Sequence, residues 1–151
     1  MSSVTLTYGG VPFTVYCNTV QVGWKNNNMA KSKANGGSVV EVVTQSFENP
    51  VYTLQGVHLV NEGLESTSVM TYSDLLAMAK NQYTGSNAIT LGFTYSQSGS
   101  TESLVGSDGS TTAIPVVIES FNFPINARNK YSDGTNEYYI PVGTIVLRET
   151  A

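Results

Sequence analysis

The sequence predicts a mainly β fold of sandwich or barrel type with one short α-helix, and three observations predict it. Apolar residues alternate with polar ones in segment after segment. Glycine pairs, Asn-Pro and Asp-Gly separate those segments where turns belong. One stretch, 71–82, switches to helical spacing. A chain of 151 residues is enough for one domain, 1–151, with a hydrophobic core that needs no covalent staples.

Strict alternation begins at once. Val4, Leu6 and Tyr8, then Val11, Phe13 and Val15, flank Gly9-Gly10, which predicts a β-hairpin with a two-glycine turn. Val20, Val22 and Trp24 predict a third strand. From 25 to 38 the pattern gives way to "KNNNMAKSKANGGS", rich in Asn, Lys and Gly, which reads as a long exposed loop. Residues 39–47 and 51–60 are rich in Val and other β-branched residues and read as two strands broken at Asn49-Pro50. "TYSDLLAMAKNQ", 71–82, is the helix: Thr71 can cap with Asp74, Leu75, Leu76 and Ala79 share a face, and Lys80 stands in the last turn. Ile89, Leu91, Phe93 and Tyr95 predict one further strand, followed by a Ser/Gly-rich loop over 96–112. A strand over 114–123, a polar loop through "NARNKYSDGTN", and terminal strands around 138–140 and 144–149 complete the reading.

One pattern occurs twice. V-V-x-x-S-F-x-x-P stands at 42–50 and again at 116–124, in each case a Val-rich run ended by proline, which lacks the N–H a central ladder needs. Two strands ending at the same edge of a barrel would give this pattern, and so would a decayed duplication. Both readings make Phe47 and Phe121 core anchors.

Charge is sparse and unevenly placed. Only 12% of residues are charged, about half the usual share. Such a surface dehydrates at low cost, as faces covered by neighbours must. Lys25, Lys31 and Lys33 precede the first acidic residue, Glu41, so residues 1–40 carry +3 while the rest, with four basic and eleven acidic groups, carries −7. A net charge of −4 argues against a protein that grips nucleic-acid phosphates. Cys17 is the one cysteine, so no intrachain disulfide forms. The first twenty residues have neither a basic start nor a continuous apolar run, and no stretch of 18 apolar residues occurs, so the expectation is a chain made and kept in a cytoplasm, without a membrane-spanning segment.

No catalytic constellation is legible. His58, the one histidine, falls by alternation with Tyr52, Leu54 and Val60 and reads as a strand residue with a structural partner. The Asp-Gly runs at 107–111 and 132–136 lack the ligand series of a calcium loop and suit tight turns. Gly36-Gly37 does not open a helix after a strand, as a phosphate loop must. The expectation is therefore a protein that is not an enzyme and carries no catalytic residue, cofactor or metal.

The order of elements, with the polar segment 25–38, the helix 71–82 and a closing strand over 143–149 in "PVGTIVLRET", resembles the tail tube proteins of tailed bacterial and archaeal viruses. Their fold is shared with the tubes of contractile injection systems and type VI secretion. The resemblance spans the chain as a pattern, without a short diagnostic motif. It implies six copies in a ring, a continuous barrel around a channel, rings stacked into a tube for genome or effector delivery, and a helix on the outside of the sheet. It places the protein in the virion tail, assembled in the host cytoplasm, with itself as main partner, sheath, baseplate or terminator proteins as further ones, and nucleic acid only as passing cargo. A tube terminator or baseplate hub of the same fold, or a carbohydrate-binding β-sandwich using its tyrosines and Trp24, are the alternatives.

In that family a long loop near the first strands reaches neighbouring subunits, which implies contacts through Lys25, Asn26, Asn27, Asn28, Met29, Lys31 and Lys33. The charge asymmetry sets these lysines against an acidic surface of the next copy, with Glu62, Glu65 and Glu102 as candidates in or beside predicted loops.

Overall fold

The computed structural model describes residues 2–24, 26–33, 40–47, 49–59, 69–82, 88–97, 99–124, 128–132 and 137–150. It is mainly β, with one short helix. β1 (Ser2–Tyr8) and β2 (Val11–Cys17) pair from Ser2 opposite Cys17 to Tyr8 opposite Val11. Gly9 and Gly10 turn between them at φ 57° and 84°, the left-handed conformations that a two-residue hairpin turn requires and that glycine adopts without strain.

β2 passes through Asn18 into β3 (Thr19–Gly23). Next come β4 (Asn26–Lys33), β5 (Val40–Phe47) and β6 (Val51–His58), then the helix α1 (Tyr72–Asn81). β7 (Ile89–Gly92), β8 (Thr94–Gln97), β9 (Ser100–Ser103), β10 (Ile114–Asn122), β11 (Arg128–Ser132) and β12 (Glu137–Glu149) follow. Eight of these strands form one antiparallel sheet in the order β11-β12-β10-β7-β1-β2-β6-β3, and β12 also pairs with β6. That extra pairing closes β12, β10, β7, β1, β2 and β6 into a barrel.

The closure rests on the second half of β12. One of its edges lies along β6, from Val142 opposite His58 to Arg148 opposite Val51. The other lies along β10, from Thr144 opposite Asn122 to Glu149 opposite Val116. The narrow seam is between β2 and β6, which meet at Tyr16 and His58 and again where the Asn18 N–H donates to the Gln55 carbonyl at 2.9 Å. Inside the barrel, alternate positions from every wall are buried, among them Leu6, Val15, Leu54, Leu91, Ile114 and Leu147. Cys17 is buried with them, and burial pushes its thiol up from the ordinary value, so it stays protonated and inert.

The helix forms as its sequence requires. The Thr71 hydroxyl accepts from the Asp74 N–H at 3.2 Å and the Asp74 carboxylate accepts from the Thr71 N–H at 3.0 Å, a complete capping box. Leu75 and Met78 are its buried residues, whereas Leu76 and Ala79 are half-buried. Met78 therefore takes the inward place that the sequence reading gave to Leu76. At the helix C-terminus, Gln82 replaces a strand. Its amide donates to the Ile118 carbonyl at 3.0 Å and accepts from the Ile118 N–H at 2.6 Å, satisfying β10 beyond Val116, the last residue that pairs with β7.

Two irregularities reset the alternation. β10 shifts register between Ile118 and Ser120, so Val116 and Ile118 face inward on one side of the shift and Phe121 on the other. Phe121 is half-buried against the core, with its ring edge-on to Tyr72 at 6.2 Å, so it is a rim residue and not the deep anchor expected. In β6, Gly56 takes φ 64° and moves the buried positions from Tyr52 and Leu54 to Val57 and Leu59. His58 therefore leaves the Tyr52–Leu54 face on which alternation had placed it.

Three predicted loops contain strands. Residues 25–38 were expected to be a long loop, yet Asn26–Lys33 is β4, paired with β5 from Asn26 opposite Phe47 to Lys33 opposite Val40. The 96–112 loop holds the end of β8 and all of β9. The polar run after Pro124 holds β11, paired with the first half of β12 from Arg128 opposite Pro141 to Ser132 opposite Glu137. The cause is the same in each case. A strand needs ladder hydrogen bonds whether or not its residues alternate, so hydropathy is silent about strands written in polar residues. The two V-V-x-x-S-F-x-x-P copies consequently differ in setting, the first in the β4–β5 ribbon and the second in the barrel wall. The side chain of Phe47 lies outside the described residues.

Leu147→Ala, which empties a fully buried site in the closing strand, is expected to cost about 2–5 kcal/mol. Phe121→Ala is expected to cost less, about 1–3 kcal/mol, because the ring is only half-buried. Denaturant titration of both variants checks the order, and a larger loss at Phe121 would contradict the placement of the core.

Candidate functional site

Six of the residues singled out by sequence fall on a ribbon outside the barrel sheet. β3 and β6 are paired from Thr19 opposite Gln55 to Gly23 opposite Val51, and β4 and β5 take up the pairing at Asn26 opposite Phe47. Three steps along one side match four along the other, so the ribbon ladder is offset by one residue from the β3–β6 ladder, and the two are separate sheets. Among the described strands β4 pairs with β5 alone, and β5 with β4 alone. Asn26, Asn27, Asn28, Met29, Lys31 and Lys33 all stand in β4, with Lys31 opposite Val42 and Lys33 opposite Val40. Lys25, Glu62 and Glu65 lie outside the described residues.

Where this ribbon leaves the barrel, the apolar face of β3 continues without cover. Val20 packs against the core, but Val22 is 43% and Trp24 56% exposed. Sequence alternation had marked all three as one face. What it could not show is that the barrel ends beneath Val20.

The acidic candidate Glu102 stands on a second ribbon. β8 and β9 pair only with each other among the described strands, from Thr94 opposite Ser103 to Gln97 opposite Ser100. All four residues of β9 are exposed. The Tyr95 hydroxyl donates to Glu102 Oε2 at 3.4 Å, and the Tyr95 ring stacks on Phe93 at 5.6 Å, which roots the ribbon at the barrel wall. After β9 the chain turns through Asp108. Its carboxylate accepts from the Thr111 hydroxyl and, at 2.9 Å each, from the backbone N–H groups of Thr111 and Ser110. Those donors, the Thr111 hydroxyl first, hold Asp108 down to about 2.

The turn is fastened to the barrel by a residue the sequence reading passed over. Glu149, at the end of β12, is 7% exposed and accepts from the Ser107 N–H at 2.9 Å. Its Oε1 lies 2.5 Å from where a Cβ on Gly106 would stand, so a side chain there would push the Glu149 carboxylate out of its place. The nearby Tyr52 phenol is pushed up to about 12, by burial first and then by the charges of Glu149 and Asp108. The sequence signal was weak: a charged residue at the end of an apolar strand reads as an exit to solvent.

The remaining chemistry is structural. His58 Nδ1 lies 2.8 Å from the Gly56 carbonyl and donates to it, which fixes the ring in its strand. Among the described residues, no three His, Cys, Asp or Glu side chains lie together as a metal site would need. A groove of about 320 Å³ between β1 and β8, lined by Ser3, Thr5, Phe93, Thr94, Ser103 and Thr112, presents hydroxyls without an ionisable group. No helix in the described residues is long and apolar enough to cross a membrane. No protein-family model matches the chain, and no curated protein matches it either.

The Asp108 turn yields a titration test. A carboxylate held low contributes stability that is present above the unfolded value and lost as pH falls through the folded one. The turn should therefore stay ordered at pH 4 and loosen near pH 2, with the Asp108 carboxyl midpoint by NMR at about 2. Thr111→Val removes the largest of the causes and should move the midpoint up toward the ordinary 3.8; a midpoint that does not move would contradict the assignment.

Proposed function

We propose that this chain is the subunit of a self-assembling tube, six copies to a ring and rings stacked end to end, serving as the conduit of a viral tail or a related injection system. The observation that carries the reading is the β4–β5 ribbon, which lies beyond the β3–β6 ladder with one residue of offset and pairs with no other described strand. An isolated two-stranded ribbon is marginal in water, and assembly supplies the neighbour that it lacks. The low charge supports the same reading, since a chain with 12% charged residues leaves much surface that another copy can cover cheaply. So does the uncovered face at Val22 and Trp24, beside the root of the ribbon. In this role the helix and barrel are scaffold, and the ribbons are the means of contact. The proteins that would abut the tube, a terminator at one end, a baseplate at the other and a sheath around it where the tail is contractile, are further partners of the same reading.

Negative-stain electron microscopy of the purified chain over a rising concentration series tests the proposal. The expected result is rings or tubes of one diameter, because a heterologous contact that closes by rotation yields discrete rings. A monodisperse monomer at every concentration would overturn it. If that monomer bound a sugar array and lost the binding in Trp24→Ala, the exposed Trp24 would instead be the stacking platform of a carbohydrate-binding module.

A further inference from the structure

Among the described residues two ribbons each pair with no further strand, and one strand of each differs in charge from that of the other, although β5 also brings Glu41 opposite Ser32. Strand β4 brings Lys31 and Lys33 with no acidic residue between Asn26 and Lys33, while residues 94–113 carry Glu102 and Asp108 with no Lys or Arg. β4 has one strand neighbour, β5, and β9 has one, β8, so an outer side of each takes no strand among the described residues. We propose that β4 of one copy adds to the outer side of β9 at Thr101–Ser103 in a second copy, joining the two ribbons into one four-stranded intermolecular sheet, β5-β4-β9-β8. The inference rests on the assembly reading above and names the strand that receives the ribbon.

Charge separates this pairing from the two self-pairings. Lysines on β4 set against the β4 of another copy would oppose like charges across the ladder, and so would Glu102 against a second Glu102. β4 against β9 is the combination that brings Lys31 and Lys33 to Glu102, with Asp108 in the turn just beyond. Each edge thus repels its own kind and accepts the other, which gives a head-to-tail contact that repeats from copy to copy. The backbone contributes alongside the charges, because main-chain hydrogen bonds along an added strand supply affinity whatever the side chains are. The receiving ribbon is held ready: Tyr95 is stacked on Phe93 and bonded to Glu102, and Glu149 fastens the turn that follows at Ser107.

A charge-exchange experiment at low salt tests the proposal. Variant one is Lys31→Glu plus Lys33→Glu, with an acidic β4 and an acidic β9; variant two is Glu102→Lys, with both strands basic. Each alone, with native circular dichroism, should need roughly fivefold or more protein to assemble, the scale expected when an exposed ion pair is lost. An equimolar mixture should assemble near the wild-type concentration, because in an even-membered ring each acidic strand then meets a basic one. If wild-type tubes form but the mixture is no better than either variant alone, the β4–β9 contact is wrong and the tube reading stands. If the wild-type chain never assembles, both fall. A second readout covers variants that fail to fold: Ser32→Cys chains mixed with Thr101→Cys chains should give a disulfide-linked pair upon assembly, with Cys17 buried and out of reach. Assembly without that cross-link would equally overturn the strand assignment.

Discussion

The structure depends on one strand having a ladder on both edges. β12 from Val142 to Glu149 is bonded to β6 on one side and β10 on the other, and this double pairing turns an open sheet into a barrel. Its inward residues, Ile145 and Leu147, are buried. Its last turns are gripped by other segments as well. The Glu149 N–H donates to the Pro50 carbonyl at 3.0 Å, the Asn49 amide donates to the Glu149 carbonyl at 2.9 Å, and the Thr150 N–H donates to the Pro115 carbonyl at 2.9 Å. Arg148, bonded to Glu119 at 3.0 Å and to the Asn49 carbonyl at 3.2 Å, fastens the outer face of the same strand. That exposed ion pair contributes little alone, but the position is held by several partners at once.

Among the described strands, a barrel closed in this way leaves ladder positions open only at the ends of its sheet, β3 and β11, and on the two separate ribbons. The contrast has an energetic basis. Barrel strands gain burial on one face and hydrogen bonds on both edges, whereas a two-stranded ribbon gains hydrogen bonds on one edge and little burial. Where a natural chain keeps such ribbons, open edges invite pairing, and charge on those edges decides with what. Lys31 and Lys33 on one ribbon and Glu102 on the other follow that logic. Glu149 links the two levels, because the residue that ends the closing strand also fixes the turn behind the acidic ribbon.

How much was legible in the sequence follows from how local each cause is. The Gly9-Gly10 hairpin and the Thr71–Asp74 capping box are decided by neighbours in the chain, and both were read with their residues. Barrel strands such as β10 were legible because one face must be apolar. The strands β4, β9 and β11 were missed because nothing apolar is required of them, so "NNNMAKSK" looks like a loop although its backbone is extended and paired. Alternation also failed where the backbone breaks phase, at Gly56 for His58, whereas the β10 bulge turns Phe121 toward the core, on which the repeat had placed it. The order β12-β10-β7-β1 and the role of Glu149 depend on residues far apart in sequence, which no window can show. Of the candidate contact residues, the run in β4 and Glu102 share one property that sequence could not give, a place on a two-stranded ribbon that pairs with no further strand among the described residues.

Hydrogen exchange compared between dilute monomer and assembled protein tests the central claim, that a self-sufficient barrel carries ribbons completed by another copy. The account expects the 142–149 amides of β12 to exchange slowest in both states, and those of β4 and β9 to exchange quickly in the monomer and to slow on assembly. If β4 and β9 were already as protected as β12 in the monomer, or if assembly left their exchange unchanged, the claim would be contradicted.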